Sequence, residues 1–179
     1  MTGIDESRQF QPINIAVLTV SDTRTPANDT SGDALADRIG KAGHRLVIRA
    51  IERDDPSRIE ARLRAWIADP AIDVIITSGG TGITGRDVTP EVFDRVLEKK
   101  IEGFGELFRM LSYHKIRSST MQSRALGGVA AGTYLFALPG SPGAVKDAWD
   151  DILLYQLDSR HRPCNLVELM PRLMEHRRA

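Results

Sequence analysis

The fold of this 179-residue chain is best predicted from one stretch, Asp73-Val74-Ile75-Ile76-Thr77-Ser78-Gly79-Gly80-Thr81-Gly82. Its first half is an apolar, β-branched run, which is typical of a strand buried on both faces of a parallel sheet. Its second half begins a segment, 78–85, in which four of eight residues are glycine. Glycine accepts positive φ and lets a ligand approach the backbone closely. The segment therefore predicts a ligand-binding loop, and because backbone N–H groups in such loops hold anions, we expect a ligand that carries a phosphate.

Predicted strands and helices alternate on either side of this stretch. Nearly continuous apolar runs predict strands at 13–20, 45–51, 73–77, 127–130 and 134–138. Helical spacing predicts helices at 31–42 and 102–116, and further helices opened by Pro56, Pro90 and Pro142. This alternation indicates an α/β sandwich with a largely parallel sheet.

The local sequence also predicts how several elements begin, turn and pack. Three helices are expected to be capped by the side chains of Asp55, Thr89 and Ser141. A hairpin is expected around Gly132-Thr133. The helix at 102–116 is expected to turn inward the side chains of Leu107, Met110 and Leu111.

Three polar or Gly-rich segments follow predicted strands and are expected to meet at one edge of the sheet. They are residues 21–30, 78–87 and 139–143. The acidic turn Asp54-Asp55 follows the second strand and belongs to the same edge. Because ligands of open α/β sheets bind at the carboxyl ends of the strands, these segments are predicted to surround one crevice.

The Gly-rich loop matches neither of two well-known phosphate-binding sequences. It is not a Walker A sequence, because no Gly-Lys-Ser/Thr follows. Residues 80–85 match G-x-G-x-x-G, but the run at 87–90, with its proline, interrupts the helix start that a dinucleotide fold requires. The hydroxyl groups of Ser78, Thr81 and Thr84 add donors to the loop. A flexible turn without a ligand is the alternative interpretation.

The composition excludes several classes of function. Lys plus Arg and Asp plus Glu each number 24, and no basic stripe is present, which argues against a nucleic-acid partner. No run of about 18 apolar residues exists, so no membrane span is expected. The single cysteine, Cys164, allows no internal disulfide and suits the cytoplasm. We expect one domain at residues 13–170, with a loose polar arm at 1–12 and a solvated tail at 171–179.

Asp87 lies five residues after Gly82 and just before the helix opened by Pro90. One interpretation is a turn residue at the helix N-terminus, where negative charge is favoured. The other is a ligand for Mg²⁺, which needs only one or two carboxylates beside phosphate oxygens. Asp54 and Asp55 supply a second acidic point on the same predicted edge. Two carboxylates beside a phosphate loop suit metal-assisted nucleotidyl transfer, although spacing alone only suggests that chemistry.

Further motifs follow the Gly-rich loop in order along the chain. They are Thr77-Ser78-Gly79-Gly80-Thr81-Gly82, Arg86-Asp87-Val88-Thr89-Pro90-Glu91, and the segments 102–109, 122–125, 138–142 and 157–165. Over residues 13–166 the chain resembles the MoaB/MogA family of molybdenum cofactor biosynthesis, and its tail resembles MoaB in particular. The resemblance implies a three-layer α/β/α sandwich with a mainly parallel, mixed sheet. It also implies trimers or hexamers, binding of molybdopterin and, in active members, adenylylation of molybdopterin with Mg-ATP.

The resemblance assigns roles to single residues. Asp87 matches the aspartate needed for adenylyl transfer, and Asp54 matches the second acidic position, with Asp55 as the alternative. Asp54 and Asp87 are expected to hold Mg²⁺ on ATP. Ser123 matches a serine at the pterin-phosphate site, and Arg124 is a candidate phosphate partner because guanidinium groups bind phosphate bidentately. The other expected substrate contacts are Ser78, Gly79, Gly80, Thr81 and Gly82 in the loop, and Pro139, Gly140 and Ser141 in the turn after the last strand.

Two functions remain open from the sequence. The first is a molybdopterin adenylyltransferase, which is favoured because both acidic positions are present beside an intact loop. The second is a non-catalytic oligomer that holds or delivers molybdopterin, which the MoaB-like tail favours.

Overall fold

The computed structural model describes residues 3–177 and shows a central sheet with helices on both faces. The strands are β1 (Gly3–Ile4), β2 (Asn14–Val20), β3 (Arg45–Glu52), β4 (Val74–Ser78), β5 (Lys99–Lys100), β6 (Leu126–Ala130), β7 (Thr133–Leu138) and β8 (His161–Arg162). The α-helices are α1 (Thr30–Lys41), α2 (Pro56–Ile67), α3 (Thr89–Val96), α4 (Glu102–Ile116), α5 (Pro142–Ala148) and α6 (Leu154–Gln156). A π-helical turn at Trp149–Leu153 joins α5 to α6, and 3₁₀ helices lie at Arg117–Gln122, Val167–Arg172 and Glu175–Arg177. In this part of the chain no helix combines the length and apolar character needed to cross a membrane.

The main sheet has six strands in the order β3-β2-β4-β7-β6-β5. The first four strands are parallel, whereas β6 runs antiparallel to both β7 and β5. The predicted mixed and mainly parallel sheet is therefore confirmed. Ser78 at the end of β4 pairs with Thr19 of β2 and with Leu138 of β7. The carboxyl ends of three strands consequently lie side by side, and the loops that follow them leave the sheet at one edge.

Alternate residues of the buried strands supply two separate hydrophobic cores. Along β2, Ile15 and Val17 face one core, and Ala16 and Leu18 face the other. Helices α1, α4 and α5 cover the first face of the sheet, and α2 and α3 cover the second. The three-layer α/β/α architecture follows from this division, because a strand buried on both faces needs helices on both sides.

Two of the three predicted helix caps are confirmed, and one is wrong. Asp55 and Ser141 accept hydrogen bonds from backbone N–H groups in the first turns of α2 and α5. Thr89 does not cap α3 but is its first residue, and its hydroxyl donates to the carbonyl oxygen of Gly79. The Gly-rich loop passes close enough to offer this acceptor, which local sequence could not indicate.

The inward face predicted for α4 is wrong at Leu107 and Met110 and confirmed at Leu111. Leu107 and Met110 are 38% and 56% exposed, whereas Leu111 is half-buried and packs against the first core. The buried aromatic side chains of the helix are Phe104 and Phe108, which lie four residues apart and pack into the first core. Larger aromatic side chains bury more apolar surface than leucine or methionine, so they set the rotation of the helix.

The hairpin between β6 and β7 is confirmed, with its turn one residue earlier than predicted. Ala131 and Gly132 form the turn and have φ of 47° and 88°. Positive φ at both positions is the geometry of the tight two-residue turns that match the twist of a hairpin. Thr133 is already part of β7 and pairs with Ala130.

The arm predicted to be loose is attached to the domain over residues 3–12, the part of it that the structure describes. β1 pairs antiparallel with β8. Arg8 donates a hydrogen bond of 2.7 Å to the carbonyl oxygen of Ser159, and the N–H of Gln11 donates to the hydroxyl of the same serine. In the predicted tail, Leu173 is half-buried against the first core. Residues 1–2 and 178–179 lie outside the described residues.

Candidate functional site

A cleft of about 630 Å³ opens at the carboxyl ends of β2, β4 and β7. Most of the ligand contacts predicted from the sequence line this cleft, namely Asp54, Gly79, Gly80, Thr81, Gly82, Asp87, Ser123, Pro139, Gly140 and Ser141. The opposite wall is formed by α4 and by the 3₁₀ helix that follows it. The fold thus brings together residues from several separate segments of the chain around one opening.

The path of the Gly-rich loop requires glycine at positions 79 and 80. Gly79 and Gly80 have φ of 110° and 64°, a region that L side chains rarely adopt. A Cβ atom at Gly79 would lie 2.1 Å from the carbonyl oxygen of Val20. At Gly80 it would lie 2.5 Å from Oγ1 of Thr89 and 3.2 Å from Oδ1 of Asp54. The loop therefore runs between the end of β2 and the start of α3, directly against the Asp54 carboxylate.

Two residues outside the loop fix its carbonyl groups. The hydroxyl of Thr89 donates to the carbonyl oxygen of Gly79 at 2.9 Å, and its N–H donates to that of Gly80 at 3.0 Å. The Nε of Arg124 donates to the carbonyl oxygen of Gly82 at 2.7 Å. Because these contacts hold the loop in shape, a ligand meets a surface that needs little further ordering.

Asp54, and not Asp55, is the acid after β3 that reaches the cleft. Oδ1 of Asp55 caps α2 and accepts the N–H groups of Ser57 and Arg58 at 2.9 and 3.1 Å. Asp54 lines the cleft, and burial together with the negative charge of Asp22 raises the pKa of its carboxyl group. A carboxylate whose charge is disfavoured in this way gains from a nearby cation. The structure thereby distinguishes the two acids between which the sequence left the choice open.

Asp87 lines the cleft and holds the far side of the loop. Its Oδ2 accepts the N–H and the hydroxyl of Thr84 at 2.8 and 2.6 Å. A Cβ atom at Gly82 would lie 2.7 Å from the same oxygen. Burial acts to raise the pKa of Asp87, but hydrogen bonds from Thr84 and Gly82 outweigh it and hold the pKa below its usual value. Asp87 is therefore both a turn residue and an ionised carboxylate that faces the cleft.

Two predicted ligand contacts lie outside the lining of the cleft. Ser78 is fully buried, and within residues 3–177 its hydroxyl is the one buried side-chain polar atom without a hydrogen-bond partner. Arg124, predicted to bind phosphate, donates instead to the carbonyl oxygens of Gly82 and Asp87 and pairs with Glu91. Its guanidinium fork is occupied by these contacts, so Arg124 shapes the loop rather than facing the ligand space.

The wall opposite the loop carries polar residues that the sequence did not indicate. Helix α4 contributes Phe108, Ser112, Lys115 and Ile116 to the cleft, and α5 contributes Asp147. Nζ of Lys115 lies 2.6 Å from Oδ1 of Asp147. Residues 108, 112 and 115 recur at helical spacing, but such spacing is equally typical of a helix without a site. Only the packing of α4 across the strand ends brings these side chains to the ligand space.

Comparison with known proteins identifies the family. The family described as "Probable molybdopterin binding domain" matches residues 16–159, which is more than half of the chain. The chain belongs to this family. Within it, molybdenum cofactor biosynthesis protein B of Escherichia coli strain K12 is 47% identical over 159 residues, which cover 89% of this chain and 94% of that relative. The protein B of Bacillus cereus is 44% identical over 158 residues, which cover 87% and 94%.

Solved structures give the same result for the fold of this molybdopterin-binding domain. A crystal structure of molybdenum cofactor biosynthesis protein B has a TM-score of 0.84 and 38% identity, covering 94% of this chain and 99% of that chain. The tungsten cofactor synthesizing protein MoaB from Pyrococcus furiosus has a TM-score of 0.72 and 29% identity, covering 94% and 99%. The resemblance to the MoaB/MogA family and the α/β fold are therefore confirmed. As a MoaB-family protein, the chain takes part in molybdenum cofactor biosynthesis.

Proposed function

We propose that this protein adenylylates molybdopterin with Mg-ATP. The observation that carries the proposal is that Asp54 and Asp87 line one cleft together with the Gly-rich loop. In the proposed step, a phosphate oxygen of molybdopterin forms a bond to the α-phosphorus of ATP. The bond between that phosphorus and the oxygen leading to the β-phosphate breaks, so that pyrophosphate leaves and adenylylated molybdopterin remains.

Asp54 and Asp87 fit a magnesium ion that enters with the nucleotide. Within residues 3–177 no group of three or more His, Cys, Asp or Glu side chains could hold a metal ion by itself. Nucleotide-bound Mg²⁺ needs only one or two protein carboxylates, since phosphate oxygens and water complete its shell. The raised pKa of Asp54, caused by burial and by Asp22, is consistent with a carboxylate that gains from such a cation. When bound, the ion would neutralise charge on the phosphates during transfer.

The remaining residues of the cleft would bind and orient the two substrates. The Gly-rich loop lines the cleft, so its backbone N–H groups are candidates to bind a phosphate group. Ser123 lies on the same cleft and offers a hydroxyl to the pterin phosphate. The attacking group belongs to the substrate, so no protein nucleophile is needed. The protein would accelerate the reaction by positioning and by charge neutralisation.

The decisive experiment incubates the purified protein with molybdopterin and Mg-ATP and quantifies adenylylated molybdopterin by chromatography. We expect product from the wild type and a loss of at least about a hundredfold for Asp87→Asn, because the variant removes one of two charges that hold the metal–nucleotide. Asp94→Asn, on the exposed face of α3 and away from the cleft lining, is the matched control and should retain activity. Absence of product while an active homologue works in parallel would overturn the proposal.

A non-catalytic carrier of molybdopterin is the second outcome of the same experiment. Calorimetry separates the two functions, because an enzyme must bind ATP with Mg²⁺ saturably, and Asp87→Asn should weaken that binding. A protein that binds molybdopterin but shows no heat with Mg-ATP is a carrier. The ATP titration therefore decides between the two functions even if turnover is too slow to follow.

We also propose that the protein self-associates, as a trimer or a hexamer. Exposed apolar side chains on α4 support self-association: Leu107, Met110 and Tyr113 are 38–56% exposed. Exposed apolar side chains that lie close together are typical of a subunit interface. Light scattering after gel filtration should give an oligomer for the wild type and a smaller species for Met110→Glu. A monomeric wild type would contradict the proposal.

A further inference from the structure

We propose that Lys115 is the cation that binds the phosphate group of molybdopterin, and that Asp147 holds Lys115 until this substrate arrives. This role rests on the part of the proposed function in which molybdopterin binds the cleft. It holds whether or not adenylyl transfer follows.

The substrate phosphate needs a cation that the Gly-rich loop does not supply. A phosphate monoester carries between one and two negative charges at neutral pH, and a charge-assisted hydrogen bond is stronger than one from a neutral group. The two cationic side chains in the lining of the cleft are Arg86 and Lys115. Arg86 is paired with Asp22 beside Asp54, on the side proposed for the metal–nucleotide. Lys115 is thus the cation available on the opposite wall.

The surroundings of Lys115 suit an anion. Ser112 lies one helical turn earlier on the same face of α4, and Ser119 follows in the 3₁₀ helix, and both line the cleft. Ser123, the proposed phosphate contact, lines the same cleft. An ammonium group and several hydroxyl groups in one cleft offer the donors that phosphate oxygens accept.

Two carboxylates pair with the ammonium group of Lys115 in the structure. Its Nζ lies 2.6 Å from Oδ1 of Asp147 and 3.4 Å from Oδ2 of Asp151. The hydrogen bond to Asp147 raises the pKa of Lys115, so the group stays charged at neutral pH. Half of the Lys115 side chain is exposed, and ion pairs in such positions contribute little to stability. Replacing the Asp147 carboxylate by a substrate phosphate as the partner of Lys115 therefore costs little free energy.

Binding of molybdopterin and of its dephosphorylated form tests the role of Lys115. For Lys115→Gln we expect the Kd of molybdopterin to rise about ten- to a hundredfold, the effect of losing one hydrogen bond to a charged group. The Kd of the dephosphorylated pterin should not change. Lys41→Gln removes an exposed lysine paired with Asp37 on α1 and is the matched control, with both Kd values unchanged. Equal weakening of both ligands by Lys115→Gln would show a structural role and overturn the proposal.

Asp147→Asn tests the holding role of Asp147 independently, because it removes the carboxylate that competes with the substrate phosphate for Lys115. We expect it to lower the Kd of molybdopterin a few-fold and to leave the dephosphorylated form unaffected; a higher Kd for molybdopterin would contradict the holding role of Asp147. If the wild type binds neither pterin, the proposed function is wrong, and titration with inorganic phosphate in the absence of Mg²⁺ still tests whether Lys115 binds an anion. Saturable phosphate binding that Lys115→Gln abolishes supports the anion site, and equal binding by both proteins overturns it.

Discussion

Thr89 donates its hydroxyl hydrogen to the carbonyl oxygen of Gly79 across 2.9 Å, and this bond joins the start of α3 to the first glycine of the loop. The N–H of Thr89 donates to the next carbonyl group, that of Gly80, at 3.0 Å. Thr89 is fully buried, so water cannot replace either bond. One residue thus holds two consecutive peptide groups of the site.

Replacement of Thr89 by valine tests this connection. Valine has nearly the same shape but no hydroxyl, so the carbonyl oxygen of Gly79 loses a buried donor. We expect the free energy of unfolding to fall by about 1–3 kcal/mol, measured by urea denaturation. Thr89→Ser keeps the hydroxyl and should retain the affinity for molybdopterin, which Thr89→Val should weaken. A valine variant with unchanged stability and affinity would show that the bond is dispensable.

Gly79 itself should not tolerate a side chain. Alanine at this position would place its Cβ 2.1 Å from the carbonyl oxygen of Val20 and would require φ near 110°. Strain of this kind costs about 1–3 kcal/mol and overpacking a similar amount, so Gly79→Ala should unfold at clearly lower urea concentration. Gly85→Ala is the matched control, because a Cβ at Gly85 meets no atom within 4 Å and should change stability by less than about 0.5 kcal/mol. Equal stability of the two variants would contradict the geometry.

The loop, the strands and the acids could be predicted because their signals are local. A buried apolar strand followed by glycines indicates a sheet-edge loop from a dozen residues, and Asp87 is identified by its motif. The sequence predicted that Asp55 caps α2, but the choice between Asp54 and Asp55 as the cleft acid stayed open, because only the folded chain shows that Asp54 lines the cleft.

Other features depended on partners distant in the chain. Helical spacing on α4 allowed two overlapping inward faces, and packing selected the one with Phe104, whose ring lies 4.9 Å from that of Phe136. Arg124 beside Ser123 suggested a phosphate ligand, but the carbonyl groups of the loop occupy its guanidinium. Lys115 had no neighbour in the sequence that indicates its position in the cleft. Such positions are decided by tertiary contacts, which periodicity does not describe.

Substitution of Asp54 should lower activity without lowering stability, and substitution of Asp55 should do the reverse. Asp54→Asn is expected to lower adenylyl transfer at least about tenfold while stability at neutral pH stays equal or rises, because the raised pKa shows that the folded protein disfavours this charge. Asp55→Ala removes the cap of α2 and should cost about 0.5–2 kcal/mol with transfer retained. Transfer assays and urea unfolding on both variants provide the measurement. Loss of transfer in Asp55→Ala, with transfer retained in Asp54→Asn, would show that Asp55 is the second acid of the site.

Asp29 should make stability depend on pH. Its buried carboxylate pairs with Arg49 at 2.6 Å and accepts hydrogen bonds from Thr19 and Gly32. Burial acts to raise the pKa of Asp29, but these partners outweigh it and lower the pKa. A depressed carboxyl pKa stabilises the fold above the usual value near 3.8, and this contribution is lost as the pH falls through the folded-state pKa.

Asp29→Asn should therefore cost more at neutral than at acidic pH. We expect about 2–3 kcal/mol at pH 7, below the roughly 3–5 of a fully buried pair, because Arg49 keeps Asp33 as a partner. The difference from wild type should shrink below about pH 4 in urea unfolding. Asp33→Asn, whose side chain is 61% exposed, is the matched control and should cost less than about 1 kcal/mol. A pH-independent difference would exclude the charge as its cause.

The attachment of the arm to the domain can be tested through His44. This side chain is 7% exposed, with the ring of Phe10 5.1 Å away and that of Trp149 6.4 Å away. Burial lowers the pKa of His44 to about 4, against a small opposing effect of the Asp158 charge.

His44 should therefore titrate near pH 4 by NMR, and Phe10→Ala should move its pKa upward toward the usual 6.5 by admitting water. Because the folded-state pKa lies below the unfolded one, stability is complete above pH 6.5 and declines as the pH falls toward 4. The Phe10→Ala protein should lose less stability over that interval. Ile4→Ala is the matched control, since Ile4 pairs with His161 and should leave the titration of His44 unchanged. A pKa that stays near 4 without the Phe10 ring would mean that Trp149 and the core alone keep water from the imidazole.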